Sequence, residues 1–282
     1  MLTLVGAGLG PKSVTPAARR ALEQADLVIV DSYTSPGSQW LLDVVAPLGK
    51  KVIVASRAML EEGSAQVIDM ARTSNVALVV AGDPLVATTH SSLVIEARSR
   101  GVDVKIVPGL SGPLTSISAS GLQFYRFGRK VTIPGPWRGV KATSVAYWAL
   151  GNLCLDLHTL LLLDVSPEGG QLPPPQAVNI LREELVQLVK DEWKGLGDLL
   201  VLTISVTDDG ASVSYSTLSR PEGLATITPS SLILPSRLHP MEAEFLRLVY
   251  GVPVELIRQH DSALREVDPC TLFLKARRLV LG

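Results

Sequence analysis

The residues with most capacity for chemistry stand in one loop, Gly82-Asp83-Pro84-Leu85-Val86-Ala87-Thr88-Thr89-His90. Asp83 is its only charged side chain, and a carboxylate there can accept hydrogen bonds from a polar small molecule. Gly82 lets a ligand approach the backbone, and Pro84 fixes φ and stiffens the loop. Asp-Pro is also an ordinary turn pair, so a plain turn stands beside the binding reading. Two more loops bear glycine, Gly6-Ala7-Gly8-Leu9-Gly10 and Gly109-Leu110-Ser111-Gly112. Acid–base and nucleophilic constellations are thin. The histidines are His90, His158, His239 and His260. His239 with Glu242 is an i, i+3 pair without a third ligand, so no metal site is expected. Ser-x-x-Lys and G-x-S-x-G are absent, which removes covalent hydrolysis by those routes. What remains suits a reaction that depends on positioning.

The elements that must position these loops alternate. Leu2–Val5 reads as a strand, followed by the first glycine loop and a helix with Thr15 as N-cap and Pro16 at its first position. Asp26–Val30, Lys51–Ala55, the apolar run Asn75–Val80 and Val102–Val107 read as further strands, and Gln39–Val45 and Ser64–Arg72 as helices. Thr88 or Thr89 caps a helix over Ser91–Arg100 that stops at Gly101. Such alternation predicts a parallel α/β sheet, whose ligands bind beyond the carboxyl ends of the strands. Gly6–Gly10 with Asp31 invites a dinucleotide reading, but the third glycine is missing and Pro11-Lys12 interrupts the turn.

Pro108–Pro113 is rich in breakers and marks a boundary, giving domains 1–110 and 111–282. The second half mixes strands (130–133, 160–165, 199–206, 212–218, 231–234) with helices over Ala177–Trp193 and Pro240–Tyr250. Asp209-Gly210 predicts a hairpin turn. A second, more antiparallel α/β domain follows, with a basic tail from Asp261.

The chain has 282 residues, 46% hydrophobic and 19% charged, with a net charge of −1. That composition fits a soluble enzyme and carries no nucleic-acid footprint. The longest apolar run, Leu160–Leu163, ends at Asp164 and is too short for a membrane span. The N-terminus lacks the basic start and apolar core of a signal peptide. Two distant cysteines, Cys154 and Cys270, predict neither a disulfide framework nor a zinc site and suit a reducing cytoplasm. Trp137, Tyr147 and Trp148 read as exposed aromatics that would line an interface.

Five segments occur in an order that resembles the diphthine synthase family, of archaeal length. They are Gly6-Ala7-Gly8-Leu9, Asp31-Ser32-Tyr33-Thr34-Ser35, Gly82–His90, Gly121-Leu122-Gln123-Phe124-Tyr125-Arg126-Phe127-Gly128 and Leu157–Asp164. The Gly-Asp-Pro loop alone marks the wider tetrapyrrole-methylase-like superfamily; its extension Leu85–His90, with the Tyr-Thr-Ser and Phe-Tyr-Arg-Phe-Gly segments, marks the diphthine branch. The resemblance runs from Met1 to about Arg258. It implies two α/β domains with S-adenosylmethionine folded into the cleft between them, S-adenosylhomocysteine as product, and a homodimer in the cytoplasm. The implied substrate is translation elongation factor 2. The amine of its amino-carboxypropyl-histidine is methylated to diphthine on the way to diphthamide.

The implied cofactor-binding residues are Leu9, Asp83, Val86, Gly112, Pro113, Leu163, Val206 and Ser230. Gly112 and Pro113 stand where the family has Ser-Ile, Ser205-Val206-Thr207 replaces Ala-Arg-Ala, and Ser230 replaces a histidine, so contact there would run through backbone atoms. No catalytic residue is assigned. Two alternatives stay open: a methyltransferase of a corrin or sirohaem precursor, and a non-catalytic binding protein on the same fold; a nucleotide-dependent oxidoreductase built on Gly6–Gly10 and Asp31 fails on the missing third glycine.

Overall fold

A computed structural model describes residues 1–33 and 37–280. The expected segment Thr34-Ser35 lies outside them. The strands are β1 (Leu2–Gly6), β2 (Leu27–Asp31), β3 (Lys51–Ala55), β4 (Val76–Val80) and β5 (Val104–Val107), then β6 (Val131–Ile133), β7 (Thr159–Leu163), β8 (Leu200–Thr207), β9 (Gly210–Thr217) and β10 (Ser231–Leu234). Met1–Thr115, Pro167–Gly170 and Val206–Gly210 form one compact unit; Ser116–Ser166, Gln171–Ser205 and the residues from Ala211 onward form the other.

The first unit holds a sheet in the order β3-β2-β4-β1-β5, parallel throughout. Its three inner strands are buried along their whole length. That is why they read as unbroken apolar runs rather than alternating ones. Side chains still alternate between faces. Leu2, Leu4, Ile29 and Leu78 pack with Val67, Ile68 and Leu93 on one face. Val5, Val28, Val30 and Val79 pack with Leu22 and Leu41 on the other. Thr15 caps the helix Pro16–Glu23, its side chain accepting from Ala18 N at 3.1 Å. From β1 the chain leaves toward β2, and from β4 toward β5, in opposite directions across the sheet. The adjacent carboxyl ends of β1 and β4 are therefore a topological switch point.

The second unit holds a mixed sheet in the order β6-β7-β10-β8-β9. β6 runs parallel to β7, and β10 runs antiparallel to β7 and β8. Helices Thr143–Cys154, Pro174–Val189 and Pro269–Val280 pack on it through Leu150, Leu153, Leu181, Leu185, Leu272 and Ala276.

Several expectations are corrected. Cys154 and Cys270 are joined in a disulfide with Cα atoms 4.4 Å apart, so they are not free thiols. The cysteine argument for a reducing compartment falls with them. Tyr147 is buried, stacked on Phe273 with ring centroids 4.7 Å apart, and lines no surface. Trp148 is half-buried under Arg129, whose guanidinium carbon lies 4.1 Å from the ring centroid. The residues after Asp261 complete the helix Val254–Glu266 and form Pro269–Val280. The long helix starts at Pro174, not Ala177, and ends at Val189. Proline fits a first helical turn, where its missing N–H costs nothing. The loop helix begins at His90, and neither threonine hydroxyl caps it. Thr88 Oγ1 donates to Pro84 O and Thr89 Oγ1 to Glu61 Oε1. Among the described residues no helix is long and apolar enough to cross a membrane.

Candidate active site

The three glycine loops follow β1, β4 and β5, neighbours in the sheet, and they meet. Gly8 and Gly82 exchange backbone hydrogen bonds, Gly82 N donating to Gly8 O at 2.7 Å and Gly8 N to Gly82 O at 3.2 Å. A Cβ on Gly6 would lie 2.5 Å from Gly109 N, and one on Gly109 would lie 2.1 Å from Gly82 O. Only hydrogen fits at Gly6 and Gly109, so three backbones come within contact of one another. Gly82 is different. Its φ is 82°, and a Cβ there would meet nothing within 4 Å. The glycines thus build a backbone cradle with open space before Gly82. Ser13 shapes the first loop, its Oγ accepting from Leu9 N at 2.7 Å and Gly10 N at 3.0 Å.

Asp83 ties two of these loops together. Its Oδ1 accepts from Leu85 N at 2.9 Å and its Oδ2 from Gly109 N at 3.2 Å. A carboxylate has further lone pairs, so acceptor capacity remains. Val86 is half-buried in the same loop. Leu9, Gly112 and Val206 also come together: a Cβ on Gly112 would lie 3.7 Å from Leu9 Cδ2 and 4.0 Å from Val206 Cγ2. Pro113 follows Gly112 in the first turn of the helix Gly112–Ala119. Val206 reaches this place because the β8–β9 hairpin tip clusters with the first unit. Asp208 at that tip accepts from Lys12 N at 2.7 Å, and Asp209 takes the Lys12 ammonium. Gly10 makes room for Asp208, whose Cγ would lie 2.4 Å from a Cβ.

Beside the cradle, Glu61 Oε1 accepts from the Tyr33 hydroxyl at 3.2 Å and from Thr89 Oγ1 at 3.1 Å. Burial alone would push the Glu61 carboxyl up, but the Arg57 guanidinium and these hydroxyls hold it below the usual range. It is therefore an acceptor rather than a base. Burial raises the Tyr33 phenol, which stays protonated.

Leu163 and Ser230 belong to the second unit. Leu163 ends β7 with its side chain buried in the core. Gln171 clamps Ser230 in the manner of a neighbouring strand, its Oε1 accepting from Ser230 N at 2.8 Å and its Nε2 donating to Ser230 O at 2.9 Å. The same Nε2 stands 3.5 Å from Leu163 O. The buried Ser230 hydroxyl has no hydrogen-bond partner among the described residues. Next to Leu163, Asp164 accepts from Arg138 Nε at 2.7 Å and from Trp137 Nε1 at 3.0 Å. Burial opposes its ionisation, but Arg138 and the Gly135 N–H outweigh that and lower its pKa.

The structure thus gathers Leu9, Asp83, Val86, Gly112, Pro113 and Val206 in the first unit, and Leu163 and Ser230 in the second. Sequence reasoning missed Ser13, Asp208 and Gln171, whose partners are polar backbone atoms that no local pattern marks. It also missed a buried network in the second unit. His158 Nδ1 accepts from Ser236 N at 2.9 Å, so Nε2 carries the proton and donates to Glu242 Oε1 at 3.0 Å. Glu242 also accepts from Gln123 N at 2.9 Å and from Arg126 Nη1 at 2.5 Å. Arg126 is the arginine of the expected Phe-Tyr-Arg-Phe-Gly segment, so that segment is held by a buried carboxylate. His239 is an N-cap: its Nδ1 accepts from Met241 N at 3.2 Å, and its N–H donates to Glu242 at 2.8 Å.

Residues 1–192 match the profile of the tetrapyrrole (corrin/porphyrin) methylases. The chain is 44% identical over 276 residues to a diphthine synthase of Aeropyrum pernix, covering 94% of this chain and 93% of that one. A diphthine synthase of Staphylothermus marinus is 33% identical over 270 residues, covering 93% and 98%. Among solved structures, a conserved hypothetical protein of Aeropyrum pernix superposes with a TM-score of 0.85 at 38% identity, over 97% of this chain and 98% of that one. A crystal structure of diphthine synthase gives 0.80 at 32% identity, over 92% and 99%. With its parallel sheet, its Gly-Asp-Pro loop at the switch point and these relatives, the chain belongs to the tetrapyrrole methylase family and, within it, to the diphthine synthases.

Proposed function

We propose that the chain binds S-adenosylmethionine in the glycine cradle and transfers its methyl group to the amine of the amino-carboxypropyl-histidine of translation elongation factor 2. The product is diphthine, an intermediate on the way to diphthamide, and S-adenosylhomocysteine is released. The family supports the methyltransferase activity. The observation that carries the cofactor reading is the cradle itself: three glycine loops locked together at a switch point, with open space before Gly82. A ligand laid against backbone fits such an arrangement.

The residues fit the cofactor. Backbone N–H and C=O groups of the three loops would hold its polar groups, with Asp83 as the fixed acceptor, and Leu9, Val86 and Val206 would wall its apolar parts. Bound S-adenosylmethionine supplies a methyl group on a cationic sulfur that departs as a neutral thioether. No residue has to act as acid on the leaving group. The acceptor nitrogen must present a free lone pair, and the proton it sheds goes to solvent. The chain's contribution is orientation, which can supply a large part of the barrier reduction of such a transfer. Its residues offer no nucleotide fingerprint for hydride chemistry, and membership of a methylase family sets the oxidoreductase alternative aside.

Elongation factor 2 as substrate supports a cytoplasmic enzyme, and the family resemblance supports a homodimer. Light scattering at the mass of one chain would contradict the dimer. The function is tested by incubating the protein with methyl-labelled S-adenosylmethionine and elongation factor 2 that carries the amino-carboxypropyl group. Label on that one histidine is the expected result. Cofactor binding without transfer would favour a corrin-type substrate, and neither binding nor transfer would favour a non-catalytic protein.

A further inference from the structure

His90 closes the cofactor loop, and 2% of its surface is exposed. Its Nδ1 lies 3.0 Å from Pro84 O. A carbonyl only accepts, so this nitrogen carries a proton. Thr88 Oγ1 donates to the same oxygen at 2.6 Å, which occupies both lone pairs of the Pro84 carbonyl. On the other edge of the ring, Nε2 lies 3.3 Å from Asp31 Oδ2 but has no hydrogen-bond partner among the described residues. Asp31 is itself set by Tyr33 N, which donates to Oδ1 at 2.9 Å. The chain of contacts runs from the end of β2, through a buried imidazole, to the loop that follows β4.

The loop has a reason to need that support. Ala87 adopts a φ of 58°. An L-residue pays for that conformation, and it persists only where the surroundings over-determine it. The two donors on Pro84 O, one from each side of Thr89, supply that determination.

We infer that His90 is a positioning residue: its Nδ1–H holds the Pro84 carbonyl and thereby fixes Gly82–Val86 in the conformation that receives the cofactor. The inference rests on the proposed cofactor role of that loop. A histidine that merely filled the core would have no preference for which ring nitrogen was kept.

Two isosteric variants separate these cases. In His90→Asn the side-chain Nδ2 replaces ring Nδ1 and can still donate to Pro84 O. In His90→Gln the Nε2 replaces ring Nε2 and points at Asp31, leaving Pro84 O one donor short. S-adenosylhomocysteine is titrated calorimetrically into the full chain. His90→Gln should bind about tenfold more weakly, the loss expected for one buried hydrogen bond. His90→Asn should stay within about threefold. In turnover, the KM for S-adenosylmethionine should rise in His90→Gln while kcat at saturation is kept, because the interaction is uniform between ground and transition state. Without ligand, the amides of 85–88 should exchange faster in His90→Gln than in His90→Asn. Equal affinities and equal exchange in the two variants would overturn the inference. If His90→Gln does not fold, Thr88→Val removes the other donor and should weaken binding similarly; unchanged binding there also overturns it. Gly82→Val is run in parallel. If it binds as the parent does, the cofactor lies elsewhere and the site reading fails; if it loses binding while His90→Gln does not, only the role of His90 fails.

Discussion

The backbone N–H of Gly109 donates to Asp83 Oδ2 across 3.2 Å, so one carboxylate joins the loop after β5 to the loop after β4. The other oxygen of Asp83 holds its own loop through Leu85 N. Removing this side chain should unfasten the cradle without emptying a core. Asp83→Ala is expected to weaken S-adenosylhomocysteine binding by about tenfold or more, while unfolding stability falls by only about 1 kcal/mol. Calorimetry and urea unfolding on the same variant check both halves. Unchanged affinity would make Asp83 a turn residue only.

The buried network of the second unit sets the acid stability. Burial alone would raise Glu242, but the hydrogen bonds from His158, Gln123 and His239 bring its pKa from 4.5 to about 2. A carboxyl lowered on folding stabilises above its unfolded value, and the benefit is lost as pH falls through its folded value. That displacement is worth roughly 3 kcal/mol. Burial lowers His260 from 6.5, so it stays neutral, its Nε2–H donating to Ser236 O at 3.0 Å. Its contribution is full above 6.5 and declines below. Stability should therefore begin to fall below pH 6.5 and fall more steeply below pH 4.5. Urea unfolding across that range reads the two phases. Glu242→Gln should cost about 2 kcal/mol near neutrality, by weakening the buried hydrogen bonds from His158, Gln123 and Arg126 while Arg126 keeps Asp156, and should remove the lower phase.

The disulfide closes a loop with a sequence separation of 116. It ties the helix Thr143–Cys154 to the helix Pro269–Val280. Cys154→Ser with Cys270→Ser, or reduction, is expected to cost about 2–5 kcal/mol of unfolding stability. Cofactor binding should be unchanged, since the bridge joins two helices of the second unit and the glycine loops belong to the first. Melting with and without reductant, in the presence and absence of S-adenosylhomocysteine, checks both statements.

The first unit was largely legible in the sequence because its information is local. Apolar runs such as Val76–Val80 gave strands, breakers such as Gly82 and Gly109 gave loops, and the alternation gave a parallel sheet whose strand ends face one way. Convergence of the three loops followed from topology alone. What escaped depends on long-range contacts. Nothing near Val206 indicates that a hairpin tip joins Leu9 and Gly112, and nothing near Gln171 indicates that its amide serves as a strand partner for Ser230. Tyr147 read as exposed because its partner, Phe273, lies far along the chain. Thr89 read as a cap because hydroxyls favour that role, but Glu61 competes for it.

The most direct test of the account is the space before Gly82. A valine there would meet no protein atom at Cβ, so its two methyls would fill the volume assigned to the cofactor, at the cost of a strained φ of 82°. S-adenosylhomocysteine is titrated calorimetrically into the parent and Gly82→Val, with the fold of each confirmed by circular dichroism. The account predicts binding to the parent and none to the folded variant. A folded Gly82→Val that binds with the affinity of the parent would contradict it.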